Sequence, residues 1–152
     1  MLTIRPADLD ADDVRQLLAI HLAGMAENTP VGHVFALDLS GLQTSDITVW
    51  TVRVDGVLAG IGALKALDTD SGELKSMRTH PDHLRKGVAA ALLDHILDEA
   101  ATRGYRRVSL ETGIGESFEP ALALYRKRGF TNGEAFGDYD ASPYNQFLHL
   151  AL

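Results

Sequence analysis

Hydrophobic positions follow a helical spacing near the start of the chain. Over residues 10–27, apolar side chains recur every three or four positions, which predicts a helix with one buried stripe. The stripe comprises Val14, Leu17, Leu18, His21, Leu22 and Met25. A short strand, "LTIRPA", precedes this helix. Residues 28–46 contain Pro30, Gly32 and Gly41 and only a brief apolar patch, so we expect a loop with one short helix there.

The next segment has the alternating pattern of β-strands. In "ITVWTVRVDGVLAGIGALKAL", β-branched and apolar residues alternate on both sides of Asp55 and Gly56, a pair typical of a tight turn. Two antiparallel strands are therefore predicted. A further strand is expected over residues 73–79 and ends before Pro81, because proline cannot donate a ladder hydrogen bond and biases His80 toward an extended backbone.

Helices and strands alternate through the second half of the chain. Residues 84–103 have a helical spacing, and Gly104 is a suitable C-terminal cap. The strand "RRVSLET" and the short helix "SFEPALALYRKRGF" follow, and one or two strands, including "NQFLHLAL", close the chain. This order predicts a single α/β (α+β) domain over residues 1–152, in which helices pack on a mixed sheet.

Composition agrees with one domain and narrows its function. The chain is 45% hydrophobic and 23% charged, as in single globular domains. No apolar run approaches the roughly 20 residues that cross a bilayer, and the N-terminus turns acidic at once, so we expect no membrane association and a cytoplasmic location. The absence of cysteine excludes disulfides, a thiol nucleophile and zinc–thiolate sites. A net charge of -7 argues against nucleic-acid binding.

The segment "HPDHLRKGVAA" carries the first chemical signal. A strand that ends at Pro81 and a helix that begins near Leu84 leave unpaired N–H groups that bind anions. Gly87 lets an anion approach the backbone, and Arg85 and Lys86 add positive charge. A charged first helical turn that tolerates a glycine explains these residues equally well. The spacing matches neither GxxxxGK[ST] nor GxGxxG, which disfavours a nucleoside triphosphate or a dinucleotide, and "GESFE" is not a GxSxG elbow.

A series of motifs over residues 73–130 resembles the GNAT superfamily of N-acetyltransferases. In order, the motifs are "ELKSMRT", "THP", "LRKGVA" in place of the family's [QR]xxGx[GA], "AALLDHILDEA", "RRVSLET" and "ALALYRKRGF". The resemblance implies a mixed, mostly antiparallel central sheet with helices on both faces. Two positions depart from the family pattern. Leu84 replaces the usual Gln or Arg, and Phe118 stands where many members have asparagine.

The resemblance also implies a reaction and a cosubstrate. The protein is expected to transfer the acetyl group of acetyl-CoA directly to a primary amine of a small molecule or a protein. The pyrophosphate is expected on the turn and the pantetheine arm along the strand before it. The residues implied for acetyl-CoA binding are Met77, Arg78, Thr79, Leu84, Arg85, Lys86, Gly87, Val88, Ala89 and Ala90. A non-catalytic acyl-CoA sensor that regulates a partner is the alternative, and a homodimer is compatible with the sequence.

Amine acetylation needs a proton acceptor, a proton donor for the leaving thiolate and a hydrogen-bond donor to the oxyanion. The resemblance implies Tyr125 as the acid, Glu73 as the base and the backbone N–H of Met77 at the oxyanion. Tyr125 is also explained as a core aromatic residue, and Glu73 as a solvated carboxylate at a strand end. Glu111 is a second carboxylate that could act as base through a water or hold a cationic substrate.

Two further residues are candidates for contact with the acceptor. His33 and Tyr139 lie on segments that border the acceptor site in this fold, although loop polarity alone explains both equally well. We expect no metal site. The six histidines include "HPDH", but its two imidazoles have no further ligand set nearby in the sequence.

Overall fold

The computed structural model describes residues 1–152, and all of its strands belong to one seven-stranded sheet. The strands are β1 Leu2–Pro6, β2 Ile47–Val54, β3 Val57–Ala66, β4 Ser71–Thr79, β5 Arg107–Gly113, β6 Thr131–Gly133 and β7 Asn145–Ala151. Their order in the sheet is β1-β2-β3-β4-β5-β7-β6. Every neighbouring pair is antiparallel except β4 and β5, which are parallel. The mixed, mostly antiparallel sheet is therefore confirmed.

Four α-helices and two short 3-10 turns connect the strands. The helices are α1 Asp12–Asn28, α2 Leu39–Leu42, α3 Val88–Thr102 and α4 Glu119–Lys127, and the 3-10 turns are Pro81–His83 and Glu116–Phe118. Helix α2 is the short helix expected in the loop, and Asp38 caps it by accepting a hydrogen bond from the Gly41 N–H at 2.9 Å. The predicted cap at Gly104 is confirmed by its left-handed φ of 82° directly after α3.

Helix α3 begins later than the sequence predicts. The spacing indicated a start near Leu84, but the helix starts at Val88. Leu84 has an extended backbone, and Arg85 and Gly87 have left-handed φ values of 63° and 77°, none of which can continue a right-handed helix. Gly87 is therefore the N-terminal cap residue rather than an interior position, and the prediction of its place was wrong.

Helices cover both faces of the sheet. On β2, Val49 packs in a cluster with Val14 and Leu17 of α1. Its neighbour Trp50 packs in a second cluster with Leu92 of α3. Successive side chains of a strand point to opposite faces, so α1 and α3 lie on opposite sides of the sheet, as predicted.

Strands β4 and β5 pair over only three positions, which creates the opening where the site lies. The paired residues run from Ser71 to Glu73 on β4 and from Arg107 to Ser109 on β5. Beyond Glu73, β4 has no strand neighbour on the β5 side. A bulge opposite Gly62, where Ser76 has a φ of 57°, bends β4 at this place. Backbone groups of β4 are therefore available to a ligand between the two strands.

None of the helices combines the length and the apolar character that a membrane span requires.

Candidate active site

The opening between β4 and β5 continues into a cleft of about 640 Å³. Its walls come from α1, β4, the turn before α3, the first turn of α3, β5 and α4. Most of the residues predicted for the site line this cleft together, namely Glu73, Met77, Arg78, Thr79, Leu84, Arg85, Gly87, Val88, Ala89, Ala90, Glu111 and Tyr125. The predicted residues Lys86, His33 and Tyr139 do not line it.

The turn before α3 presents a row of free backbone donors. No backbone or side-chain acceptor pairs with any N–H from residue 84 to residue 90, and the first N–H of the helix to find a partner is that of Ala91, at 3.0 Å from the Gly87 carbonyl. A Cβ at Gly87 would meet nothing within 4 Å, so the backbone is open to solvent here. Free N–H groups at the positive end of a helix favour an anion, and the turn can hold a diphosphate.

Cationic side chains flank this turn. Arg85 is exposed and lines the cleft. Lys86 is also exposed, but its ammonium lies outside the cleft, 3.4 Å from Nδ1 of His83. Lys86 therefore contributes positive charge near the turn without contributing to the wall of the cleft.

Tyr125 extends from α4 into the cleft and is buried. Burial raises the pKa of its hydroxyl to about 12, an effect that the nearby charge of Arg78 opposes. The phenol therefore keeps its proton at neutral pH and can donate it. The ring also packs against Phe130, with 5.8 Å between ring centroids. Tyr125 is therefore both a packed core residue and part of the cleft wall.

Glu73 belongs to a buried network rather than to the solvent. Its Oε2 accepts hydrogen bonds from Nζ of Lys75 at 3.0 Å and from the hydroxyl of Tyr139 at 2.6 Å. Nζ of Lys75 also donates to the Tyr139 oxygen at 2.6 Å. The Glu73 side chain is only 3% exposed. The interpretation of Glu73 as a solvated strand-end carboxylate is therefore wrong, because β4 begins at Ser71 and places this residue in the paired part of the strand.

The two loop candidates are held by other aromatic residues. Tyr139 packs between Phe35 and Phe136, at 5.4 and 5.3 Å between ring centroids, while its hydroxyl is bound to Glu73. His33 packs against Tyr144 in a tilted arrangement, with 4.7 Å between ring centroids. Tyr139 supports the wall of the cleft from behind, through Glu73 and Lys75.

Glu111 is the carboxylate in the cleft that has no ion-pair partner. Burial raises the pKa of this carboxyl group to about 6, and the negative charge of Glu73 adds to the rise, whereas the Asn145 amide and the Lys75 ammonium oppose it. A carboxylate with a pKa just below neutral pH is ionised at pH 7 and can still take up a proton. Glu111 therefore has the properties of a general base.

A sequence model of the Acetyltransferase (GNAT) family matches residues 14–130 of the chain. The chain belongs to the GNAT family. The protein is accordingly an acyltransferase that transfers an acetyl group, and the matches give no support to a non-catalytic sensor.

Named relatives of this GNAT protein cover nearly all of its length. It is 48% identical over 149 residues to the uncharacterized N-acetyltransferase YsnE of Bacillus subtilis, covering 98% of this chain and 99% of that one. It is 46% identical over 152 residues to the uncharacterized N-acetyltransferase YedL of Escherichia coli, covering 100% and 96%. An enzyme named IAA acetyltransferase from Azospirillum brasilense is 36% identical over 118 residues, with 76% and 75% covered.

Solved structures share the fold of this GNAT protein. A putative acyl-CoA N-acyltransferase from Klebsiella pneumoniae superposes with a TM-score of 0.83 and 27% identity, covering 100% of this chain and 98% of that one. A GNAT family acetyltransferase from Elizabethkingia anophelis with acetyl-CoA bound has a TM-score of 0.73, 16% identity and coverages of 99% and 98%. The second similarity concerns the fold alone.

The two departures from the GNAT pattern have different structural consequences. The Leu84 side chain is 59% exposed at the mouth of the cleft, so the position loses a polar side chain but keeps its free N–H. Phe118 is buried, and its ring lies so close to Gly113 that a Cβ there would overlap it. Phe118 therefore closes the base of the cleft near β5 with an apolar ring in place of an amide.

Sequence reasoning missed two polar residues of this GNAT site. His21 was counted in the apolar stripe of α1, but its Nδ1 accepts a hydrogen bond from Nε of Arg78 at 3.0 Å. The signal was an imidazole within a stripe that is otherwise hydrophobic. Lys75 was not selected, although it lies two residues after Glu73 and hence on the same face of the strand, a spacing that predicts an ion pair.

Proposed function

We propose that the protein transfers the acetyl group of acetyl-CoA to the primary amine of a small molecule or a protein. The observation that carries this proposal is the row of unpaired N–H groups over residues 84–90, at one end of a cleft that also contains Tyr125 and Glu111. The fold shared with a structure that holds acetyl-CoA supports the same ligand. A cytoplasmic location and a homodimer stay predictions.

The cleft has complementary groups for two parts of acetyl-CoA. The N–H groups of residues 84–90 would bind the pyrophosphate, with Arg85 as a direct cationic neighbour and Lys86 as a more distant one. The open edge of β4 from Met77 to Thr79 would bind the amide groups of the pantetheine arm. Ser76 supports this placement, because its buried hydroxyl lines the cleft and has no hydrogen-bond partner in the protein.

The chemistry of direct transfer requires two proton movements. The amine nitrogen forms a bond to the thioester carbonyl carbon, and the bond from that carbon to sulfur breaks. The attacking amine loses a proton to Glu111, directly or through a water, and Tyr125 donates its proton to the departing thiolate. The N–H of Met77, as the resemblance implies, would donate to the developing oxyanion.

Two carboxylates are candidates for the base, and the geometry favours Glu111. Oε2 of Glu73 already accepts hydrogen bonds from Lys75 and Tyr139, so taking up a proton would break an ion pair. Glu111 has no ion pair to lose. We therefore propose that Glu111 takes up the proton and that Glu73 positions Lys75 and Tyr139. His33 and Tyr139 stay predictions as acceptor contacts.

The function is tested by calorimetry with acetyl-CoA and by a CoA-release assay over a panel of amines that includes small amines and lysine peptides. We expect 1:1 binding of acetyl-CoA and release of CoA that depends on the amine. Absence of binding at tens of micromolar would contradict the cosubstrate, and binding without release for any acceptor would favour the sensor.

The pH dependence of kcat/KM tests the base. Because the base must be deprotonated, activity is present above the raised pKa of Glu111 and is lost as the pH falls through about 6. Glu111→Gln should remove this acidic limb of the profile and lower kcat/KM at pH 7 by about 100-fold, the lower end of what a positioned base contributes. The measurement is the kcat/KM profile for CoA release between pH 5 and pH 8.

Two further variants test whether the acidic limb of the pH profile belongs to Glu111. Glu119→Gln removes an exposed carboxylate at the start of α4 and should leave the limb in place. If the limb persists in Glu111→Gln but disappears in Glu73→Gln, the base is Glu73. A limb that moves with the acceptor amine belongs to the acceptor, whereas the limb of Glu111 stays near pH 6 for every acceptor.

A further inference from the structure

Arg78 is a half-buried cation in the cleft that has no acidic partner. Its Nε donates to Nδ1 of His21, and no carboxylate lies within ion-pair distance of its guanidinium. The two terminal nitrogens make no hydrogen bond to the protein. They lie against Gly24 of α1, where a Cβ would be 3.1 and 3.3 Å away from them. A guanidinium removed from water without a counter-charge is costly, so an anion that fills this place gains binding free energy.

His21 holds the guanidinium in position without neutralising it. The imidazole is only 4% exposed, and burial, with the charge of Arg78, lowers its pKa to about 4. The ring is therefore neutral at physiological pH, and its Nδ1 accepts the hydrogen bond from Arg78 while Nε2 carries the ring proton. It uses the Nε–H of Arg78 and leaves the two terminal nitrogens for a ligand, which is the arrangement that a carboxylate binds with two parallel hydrogen bonds.

The guanidinium of Arg78 lies on the face of the sheet opposite to the turn at residues 84–90. Met77 packs toward α3, since a Cβ at Gly62 would touch both Met77 and Leu92. The next side chain, Arg78, is directed to the other face, where it meets Gly24 of α1. The free N–H groups of residues 84–90 precede α3, on the face of Met77. A cosubstrate whose phosphates lie on the turn therefore leaves the Arg78 guanidinium to the second substrate.

Apart from Arg85 on the turn, the charged side chains of the cleft leave only two groups unpaired. Lys75 and Glu73 neutralise each other. Glu111, on β5, has no cation bound to it, and Arg78, on β4, has no anion. A substrate that brings both a positive and a negative group would satisfy one free charge of each sign.

We propose that Arg78 binds a carboxylate of the acceptor, and that the acceptor is therefore a small primary amine that carries a carboxylate, as an amino acid does. This inference rests on the proposed function and narrows its acceptor. Arg78 selects the substrate by its charge, while Glu111 faces the amino end. An ammonium bound there first releases one proton to solvent, and the neutral amine then attacks and passes a second proton to Glu111.

Matched acceptors test the proposal. The natural L-amino acids are each compared with the corresponding carboxamide in the CoA-release assay. We expect at least one amino acid to exceed its carboxamide in kcat/KM by about 10- to 100-fold, mainly through KM, because the carboxamide loses a charge-assisted pair of hydrogen bonds. Arg78→Gln should reduce this ratio to near one. Arg106→Gln, which removes an exposed arginine outside the cleft, should preserve it.

A binding measurement makes the result independent of turnover. The same amino acids are titrated into the protein saturated with CoA, and thermal melting of each variant shows that it is folded. Binding of an amino acid that is lost in Arg78→Gln and kept in Arg106→Gln supports the proposal. Equal use of acids and carboxamides, an unchanged ratio in Arg78→Gln, or no amino-acid binding overturns it. Failure of the proposed function differs, because acetyl-CoA would then not bind or no amine of any class would release CoA.

Discussion

Tyr125→Phe should lower kcat for CoA release by about 100- to 10,000-fold, which is the range that a positioned general acid contributes. The hydroxyl is the only part of the side chain that is removed, and burial keeps it protonated with a pKa of about 12. Without it, the thiolate must leave unprotonated or take a proton from water. Steady-state kinetics with CoA release measures the loss, and calorimetry should show that acetyl-CoA still binds, because no hydrogen bond of Tyr125 holds the turn at residues 84–90.

The fold should survive this substitution, so the loss can be assigned to chemistry. The ring of Phe at this position would keep the contact with Phe130, and no hydrogen bond within the protein is lost. Tyr105→Phe is the matched control. Its ring is also buried, packs near Gly72 and does not line the cleft, so its kcat should be unchanged. Full activity in Tyr125→Phe would remove this residue from the mechanism and leave it as a core aromatic.

Local pattern was sufficient to predict most of the fold. The three- and four-residue spacing of α1 and the Asp55-Gly56 turn each reflect a burial or backbone preference that acts within a few residues. The start of α3 could not be located this way, because apolar spacing does not report the left-handed backbone of Arg85. Strand β6 was predicted only as one of one or two final strands. Its three residues are all exposed, so the sequence has no alternation of buried and exposed positions there.

The candidate site likewise contains residues that the sequence could identify and contacts that it could not. Gly87 and Tyr125 lie within short motifs, so the sequence alone could select them. The contact of Lys75 with Tyr139 joins residues 64 positions apart, and that of Arg78 with His21 joins residues 57 positions apart. Such pairs depend on which strand edges and helices the topology brings together, and no local pattern encodes them. The sequence could name Arg78 and Glu111, but only the structure shows that both lack an ion-pair partner, the property on which the proposed acceptor rests.

Gly87→Glu should weaken the binding of acetyl-CoA by about 1,000-fold, which corresponds to about 4 kcal/mol. A carboxylate on the turn would repel the pyrophosphate and would compete for the free N–H groups of residues 84–90, and each charge-assisted hydrogen bond lost costs about 1.5 to 3 kcal/mol. The site has room for the side chain, because a Cβ at Gly87 meets nothing within 4 Å. Affinity is measured by calorimetry with acetyl-CoA.

Backbone strain must be separated from charge in this test. Gly87 has a φ of 77°, and any side chain there carries the cost of a left-handed backbone, about 1 to 2 kcal/mol. Gly104→Glu introduces the same charge and nearly the same strain, since Gly104 has a φ of 82° and open surroundings, but it lies beyond the far end of α3. Its affinity for acetyl-CoA should be unchanged.

Gly87→Lys completes the comparison. It has the strain of Gly87→Glu with the opposite charge, so it should bind acetyl-CoA much more tightly than the glutamate variant does. Equal weakening by lysine and glutamate would show that the left-handed backbone, rather than an anion, explains the glycine. Unchanged affinity in Gly87→Glu would place the pyrophosphate elsewhere. If the backbone of residues 84–90 binds an anion, the lysine and glutamate variants should differ in their affinity for acetyl-CoA. Without such a site their affinities should be equal.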